Sequence, residues 1–493
     1  MRKGILIVAA IAAAGLMSFW VRHRFRADSP PVEQPAAHAP AASTPSSMPG
    51  KAPIPFADAR PVLDAYRNDL PADIKGRTPQ ELESAWPGWV ARHDAGIRAR
   101  LAEGDEDSLV NLWLYGTTFT ALPRATEQHM ASLKTRAMAE ELLLRRLDDL
   151  VAGLASPGTN ERLQFGRLLV ERKGIDPTTE AGQEQTRIYL VTARERAIAA
   201  FARYRRAAES AKRPGQAGAE LPSYATMYRD RGLSSDTKLT ADFALDKALE
   251  AIRGSGTLAP QSVRRVAIVG PGLDFTDKAE GYDFYPLQTI QPFALVDSLT
   301  RLGLANPQEL RVTTLDLSPR VNRHLAAARQ RAMAGEPYVI QLPLANDDPK
   351  HQWDPALVAY WRRFGDRIGE DVAPIPPPAV AGAVRVRAVR VRPAVTLSIA
   401  PQDLDIIVER LDPFHDEERF DLIVATNVLV YYDAFDQALA LANVARMLRP
   451  GGYFVTNYAV SPLPPLEASA SIVTPVFFDR QGNGDTLFVY RTR

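Results

Sequence analysis

The 493-residue chain has no cysteine. That excludes disulfides, thiolate zinc sites, iron–sulfur clusters and a cysteine nucleophile, and it leaves the compartment open. Net charge is nearly absent too, +1 from 59 basic and 58 acidic residues, so no global field points to nucleic acid or another strongly charged partner. Histidine is scarce. The seven residues are scattered, no pair has metal-ligand spacing, and no metal site is expected. Long apolar runs are confined to the first 26 residues.

There, "MRKGILIVAAIAAAGLMSFWVRHRFR" places two basic residues before an uncharged run from Gly4 to Val21, about the minimum that spans a bilayer. Phe19 and Trp20 close the run where interfacial aromatics belong. Ala12–Ala14 would suit a cleaved signal peptide, but Arg22, Arg24 and Arg26 follow at once. The expectation is an uncleaved anchor over 1–26, single-pass in a bacterial inner membrane. Arg2 and Lys3 compete with the later arginines, and the balance leans toward a cytoplasmic soluble part. Residues 27–55, rich in proline, alanine and serine, read as a disordered tether.

The remaining length exceeds one ordinary core. Residues 56–255 show helical periodicity and predict an all-α domain. Thr78, Pro79 and Glu81 spell a capped start, and Pro87 predicts an end or a kink soon after. Ser235 reads as the cap of "DTKLTADFALDKALEAIRGSG". Trp86, Trp89, Trp113 and Tyr115 read as core or groove-lining residues rather than ligand contacts.

From Val263 the pattern changes to apolar strands alternating with helices. This predicts an α/β domain over 256–493 with a mostly parallel, Rossmann-like sheet. "SIVTPVFFDRQGNGDTLFVYRTR" adds a hairpin and thus an antiparallel edge. Residues 335–402 read as an insertion. In it "VRVRAVRVRP" alternates valine with Arg385, Arg387, Arg390 and Arg392, slipping at Ala388–Val389 where a bulge or bend is expected. Those arginines fit an anionic substrate or lipid headgroups, or a solvated face that blocks edge pairing.

The stretch "RRVAIVGPGLDFTDKAEGYDFYPLQTIQPFALVDSL" runs from a strand into a glycine turn, an unusually long loop and a helix. In an open parallel sheet a ligand binds at such a turn. Gly270 and Gly272 clear side chains from its path. Phe275 stands where a dinucleotide fingerprint needs its third glycine, and no P-loop lysine follows. Asp316, ending the next strand, can accept hydrogen bonds from a ribose diol or cap the helix after it.

Later, "FDLIVATNVLVYYDAFDQALALANVARMLRPGGYFVTN" resembles the second half of class I S-adenosylmethionine-dependent methyltransferases, most of all their CheR-type members around residues 420–457. The resemblance covers roughly 263–335 and 403–493. It implies S-adenosyl-L-methionine as cofactor, Gly270 and Gly272 as the glycine-rich motif, Asp316 as ribose ligand and Asp412 beside the adenine. It places Asn427 facing methyl donor and acceptor. Ile268 departs from the family, which has an acidic residue there; Asp274 is a candidate substitute. "EGYDFYP" concentrates Tyr282, Asp283, Phe284 and Tyr285 near the donor.

Methyl transfer from a sulfonium is an in-line displacement needing chiefly position and exclusion of water. Tyr285, Asn427 and Tyr431 are the catalytic candidates, with Tyr432 and His351 as further possible bases. His324 is expected at the surface and His415 in a loop. The expected function is a membrane-tethered methyltransferase with a small molecule or protein carboxylate as acceptor rather than nucleic acid. The alternative is a non-catalytic envelope scaffold with a degenerate methyltransferase fold.

Overall fold

The computed structural model describes residues 50–211, 232–278, 283–347, 352–381, 384–412, 418–461, 463–467 and 470–493. The expected anchor lies outside the described residues, as do Tyr282, His351 and His415. Among the described residues no helix is long and apolar enough to cross a membrane.

In chain order the elements are β1 (Lys51–Pro53), α1 (Phe56–Ala65), α2 (Pro79–Tyr115), α3 (Glu127–Ser132), α4 (Arg136–Ala155), α5 (Glu161–Arg172), α6 (Glu180–Ala211) and α7 (Thr240–Gly254). The α/β part continues with β2 (Arg265–Val269), α8 (Gln291–Arg301), β3 (Arg311–Asp316) and α9 (Pro319–Met333). Next come β4 (Tyr338–Asn346), α10 (Pro355–Arg363), β5 (Gly369–Val372), β6 (Val384–Val391), α11 (Pro393–Leu397), β7 (Ile399–Asp403) and β8 (Glu409–Leu411). The chain closes with β9 (Phe420–Ala425), α12 (Ala434–Met447), β10 (Leu448–Thr456), β11 (Ile472–Phe477) and β12 (Gly484–Arg491).

The central sheet has seven strands in the order β11-β12-β10-β9-β2-β3-β7. The ladder is parallel from β7 through β10, while β12 runs antiparallel to both of its neighbours. The mostly parallel Rossmann-like sheet and its terminal hairpin are therefore present, with the antiparallel strand second from the edge. β9 is buried at every position, which is why "FDLIVA" reads as a continuous apolar run rather than an alternation.

Three boundaries differ from the sequence reading. β7 pairs with β3 from Val312↔Ile399 to Asp316↔Asp403, so it belongs to the main sheet and not to an insertion ending at 402. The inserted three-stranded sheet, order β4-β6-β5, ends at Val391. Helix α7 buries Phe243, Leu245, Leu249 and Ile252 in the same core as Val266, Phe293 and Val489. It is thus a layer of the α/β unit rather than the last helix of a separate domain. Each such side chain contributes about 1.5–3 kcal/mol on burial. Finally, Lys51–Ile54, read from the sequence as part of a tether, are structured: β1 pairs antiparallel with β8, and Ile54 is buried.

The all-α region is divided between two cores. Trp86, Trp89, Val90 and Ile97 on the first half of α2 pack with Ala267, Ile423 and Phe435 on one face of the sheet. The second half of α2 joins α4, α5 and α6 in a separate helical core around Trp113 and Leu150. Pro87 does not break α2, which is continuous for 37 residues behind its Thr78–Glu81 capping box. Burial of the tryptophans one residue before and two after Pro87 holds both flanks in register. The indole Nε1–H of Trp86 also donates to Ile54 O at 2.8 Å.

The arginines of β6, and Arg392 just after it, all have partners within the chain, although Arg385 and Arg390 stay exposed. Arg387 donates to the carbonyls of Trp361, Arg362 and Phe364 at the C-terminus of α10, satisfying acceptors a helix end leaves open. It also pairs with Asp371. Arg385 pairs with Asp347, Arg390 with Glu370, and Arg392 donates to Arg367 O. The expected bulge at Ala388–Val389 is absent. The β4–β6 register slips on the other strand, between Pro343 and Ala345, and Arg387 to Val389 are buried in succession.

Candidate cofactor and active site

The sheet order reverses between β2 and β9, and a cleft opens there at the C-terminal ends of the strands. Its empty space, open solvent at the mouth included, is about 740 Å³. Gly270 and Gly272 form its floor with Val269, and Leu315–Leu317 form one side. Leu404 and Ile406 extend that side, and Thr426–Val428 with Tyr431 and Tyr432 form the other.

Both glycines have positive φ, 64° and 66°. Gly270 N–H donates to Leu315 O at 2.8 Å, binding the turn to β3. Gly272 N–H donates to the Asp316 carboxyl group, as does Ser318 N–H at 2.7 Å. Burial pushes the Asp316 carboxyl up to about 6 despite those two donors and nearby Arg320. Asp316 thus borders the cleft and ties down the start of α9.

The long loop after the turn is a closed excursion. Asp274 N–H donates to Gln288 O at 2.8 Å, so the chain leaves at 274 and returns at 288, just ahead of α8. The excursion is clamped into the helical region. Arg162, almost fully buried on α5, donates to the carbonyls of Phe275, Tyr285 and Asp274. Phe275 enters the helical core, and the Asp283 carboxylate accepts from Thr117 N and Oγ1. Arg320 lies over the Phe165 ring at 4.0 Å and the Phe275 ring at 4.7 Å.

This clamping withdraws two sequence-predicted residues. The Asp274 carboxylate accepts from Tyr285 Oη at 2.6 Å and Gln288 Nε2 at 2.9 Å. Burial raises the Asp274 carboxyl to about 6 and pushes the Tyr285 hydroxyl well up. Neither residue borders the cleft. Tyr285 instead faces a groove with Phe284, Pro286 and Thr117. Asp412 is also elsewhere: its carboxylate accepts from Arg410 Nη2 at 3.1 Å, and its N–H donates to Gly50 O in the β1–β8 extension. The position after the third strand of the parallel run falls at Leu404–Ile406, because β7 ends at Asp403 and not at Leu411.

Asn427 and Tyr431 do border the cleft, Asn427 with an unusual positive φ of 59°. That conformation is held by Asn457: Asn427 N–H donates to Asn457 Oδ1 at 2.8 Å, and Asn457 Nδ2 donates to Asn427 Oδ1 at 2.7 Å. Asn457 Nδ2 also donates to Asp485 Oδ2 at 2.8 Å. Tyr432 is buried, its ring under the Arg100 guanidinium at 5.6 Å. His324 is not a surface residue. Its Nε2 meets Tyr338 Oη at 2.7 Å, and burial lowers it to about 4.

Sequence reasoning missed a third wall. Leu233–Thr237 line the cleft together with Leu101 of α2. Ser235 is no helix cap, since α7 starts at Thr240 without a side-chain cap. The segment instead pairs with the turn: Leu273 N donates to Ser235 O at 2.7 Å and Thr237 N to Leu273 O at 2.9 Å.

Beside the cleft, Asp405 is buried with Oδ1 accepting from Ile407 N and Oδ2 without a partner. Burial, with Asp94 and Glu409 adding, pushes its carboxyl to about 8 against the opposing Ile407 hydrogen bond and Arg98 charge. The folded chain therefore holds this proton more tightly than the unfolded chain does. Stability from it is full below the unfolded value near 4, declines as pH rises, and is gone above about 8. Thermal melts between pH 6.5 and 8.5 should show Tm falling for the wild type and a flatter profile for Asp405→Asn. Equal slopes would refute the assignment.

Residues 387–456 match the family model described as a methyltransferase domain. That match runs from β6 through β10, so the C-terminal α/β unit contains a methyltransferase domain match lying along its sheet; S-adenosylmethionine is the cofactor such a domain takes. The chain is 40% identical over 60 residues to Nodulation protein S of Rhizobium tropici, covering 12% of this chain and a quarter (25%) of that protein. Among solved structures it is similar to the N-methyltransferase NodS of Bradyrhizobium japonicum, at 15% identity, 52% of this chain, 98% of that chain and TM-score 0.24. It is also similar to the glycopeptide N-methyltransferase MtfA, at 16% identity, 52% of this chain, 99% of that chain and TM-score 0.23.

Proposed function

We propose that the protein transfers methyl groups from S-adenosylmethionine to an acceptor that approaches beside Asn427 and Tyr431. The observation that carries this reading is the cleft itself: a glycine floor with positive φ, a buried carboxylate at the end of β3 and apolar Leu404 and Ile406 meet at the switch point. The apolar pair suits the adenine face and Asp316 the ribose. Asn427, fixed by Asn457, can orient an acceptor oxygen or nitrogen in line with the sulfonium. Among the described residues the lining holds no histidine. An acceptor already ionised at neutral pH, such as a small-molecule or protein carboxylate, needs no base, and this favours O-methylation. Residues 1–26 would hold the enzyme at a membrane with the domain facing the cytosol, where S-adenosylmethionine is made.

The alternative is a non-catalytic envelope scaffold. Ile268 in place of an acidic residue and the withdrawal of Asp274 into the Tyr285 network favour it. Calorimetric titration of S-adenosylmethionine into the full chain separates the two. Micromolar binding supports the enzyme, whereas a well-folded sample that binds neither the cofactor nor S-adenosylhomocysteine supports the scaffold. A reporter fused after Arg493 reads the membrane side.

A further inference from the structure

The segment Gly232–Thr237 is locked between α2 and the glycine turn. A Cβ on Gly104 would sit 1.8 Å from Leu233 O, and one on Gly232 would sit 2.1 Å from Gly104 N, so backbone meets backbone here. Leu233 N donates to Arg100 O at 3.0 Å. On this rigid strap Ser235 is 6% exposed and the Asp236 side chain 8% exposed, and both border the cleft. Ser235 Oγ has no hydrogen-bond partner among the described residues. Asp236 Oδ1 accepts from Ser108 Oγ at 3.0 Å and Arg320 Nη2 at 3.3 Å, while Oδ2 has no hydrogen-bond partner among the described residues. Buried polar atoms are rarely left in this state without a ligand or a solvent partner.

The strap stands opposite Asp316. Gly272 lies between them, its N–H donating to Asp316 and its would-be Cβ 3.0 Å from Ser235 O. Two carboxylates and a hydroxyl thus flank one glycine. Carboxylates only accept, so the complementary ligand edge must donate, and a hydroxyl can both donate and accept. An ammonium group and a vicinal diol both donate. The Arg320 guanidinium already on Asp236 opposes a second cation, which leaves the neutral diol.

We propose that Ser235 and Asp236 act with Asp316 to hold the ribose diol of the nucleoside, so that a segment preceding the methyltransferase sheet completes its cofactor site. This rests on the reading of the cleft as an S-adenosylmethionine site.

The test is calorimetry on the full chain with S-adenosylhomocysteine and 5′-methylthioadenosine, which shares the nucleoside but lacks the amino-acid end. Ser235→Ala should weaken both ligands by the same factor, about five- to tenfold, and leave the ligand-free Tm unchanged, because its hydroxyl has no partner to lose. Asp236→Asn keeps an acceptor for Ser108 and Arg320 and should weaken both ligands by about 10- to 100-fold. If Asp236→Asn fails to fold, Ser235→Ala carries the test. Loss confined to S-adenosylhomocysteine would place the strap at the amino-acid end and overturn the proposal, and so would unchanged affinities. Failure of the wild type to bind either ligand would instead overturn the cofactor reading on which the proposal stands.

Discussion

Replacing Asp316 with alanine should lower the affinity for S-adenosylhomocysteine by at least about 100-fold. Two charge-assisted hydrogen bonds to a diol contribute about 1.5–3 kcal/mol each, and the truncation also frees Gly272 N–H and Ser318 N–H, loosening the floor. The pH dependence has a definite sign. Burial raises this carboxyl to about 6, and only the ionised form accepts from both hydroxyls. Affinity should be flat above pH 7, fall through pH 6, and drop roughly tenfold for each unit below that. Asp316→Asn keeps an acceptor oxygen, so it should bind at an intermediate level with a flatter profile. Titrations from pH 5 to 8 on the three proteins decide it. A wild-type affinity independent of pH, or an alanine variant that binds normally, would remove Asp316 from the site.

The place of Asp316 at the cleft was legible in the sequence because it ends an apolar strand, and the glycine turn was legible because φ above zero selects glycine. Asn427 and Tyr431 followed from their place after the apolar "FDLIVA". Asp412 was not, and the reason lies in β7. "IAPQD" contains a proline and two polar residues and shows no strand period, whereas "DIIVERLD" does. The apolar run turned out to supply Leu404 and Ile406 to the cleft and Ile407 and Val408 to the core, largely outside strand pairing.

Ser235 failed for a different reason. Its local sequence offers a cap, but the backbone of 235–237 is needed for pairing with Leu273, and that contact delays the helix to Thr240. Local propensity gave way to a tertiary hydrogen-bond ladder. The aromatic loop misled in the same manner. Tyr285 beside a glycine turn looks like a ligand contact until Arg162, 123 residues away in sequence, is seen to hold its carbonyl. Partners so distant leave no period or spacing to read. The helical periodicity of 56–211 was plain, yet nothing in it distinguishes the tryptophans that cover the sheet from Trp113, which anchors the second core.

Gly270→Ala should cost stability and abolish binding together. At φ 64° an L side chain is strained by about 1–2 kcal/mol. The added Cβ would also lie 2.6 Å from Val428 Cγ2, so one of the two must move. Overpacking of this kind costs about 1–3 kcal/mol, for a total of about 2–5 kcal/mol read as a lowered urea midpoint. Movement has a functional consequence because Val428 follows Asn427, whose own positive φ depends on Asn457. Displacing the loop breaks that arrangement and tilts the wall that carries Tyr431. Val428→Ala in the same chain removes the clash but leaves the φ strain. The double variant should therefore recover part of the affinity for S-adenosylhomocysteine while staying less stable than wild type. If Gly270→Ala binds and melts like the wild type, the turn neither requires glycine nor sets the position of Asn427. If the double variant recovers no affinity, the defect lies in the turn's backbone rather than in its contact with Val428.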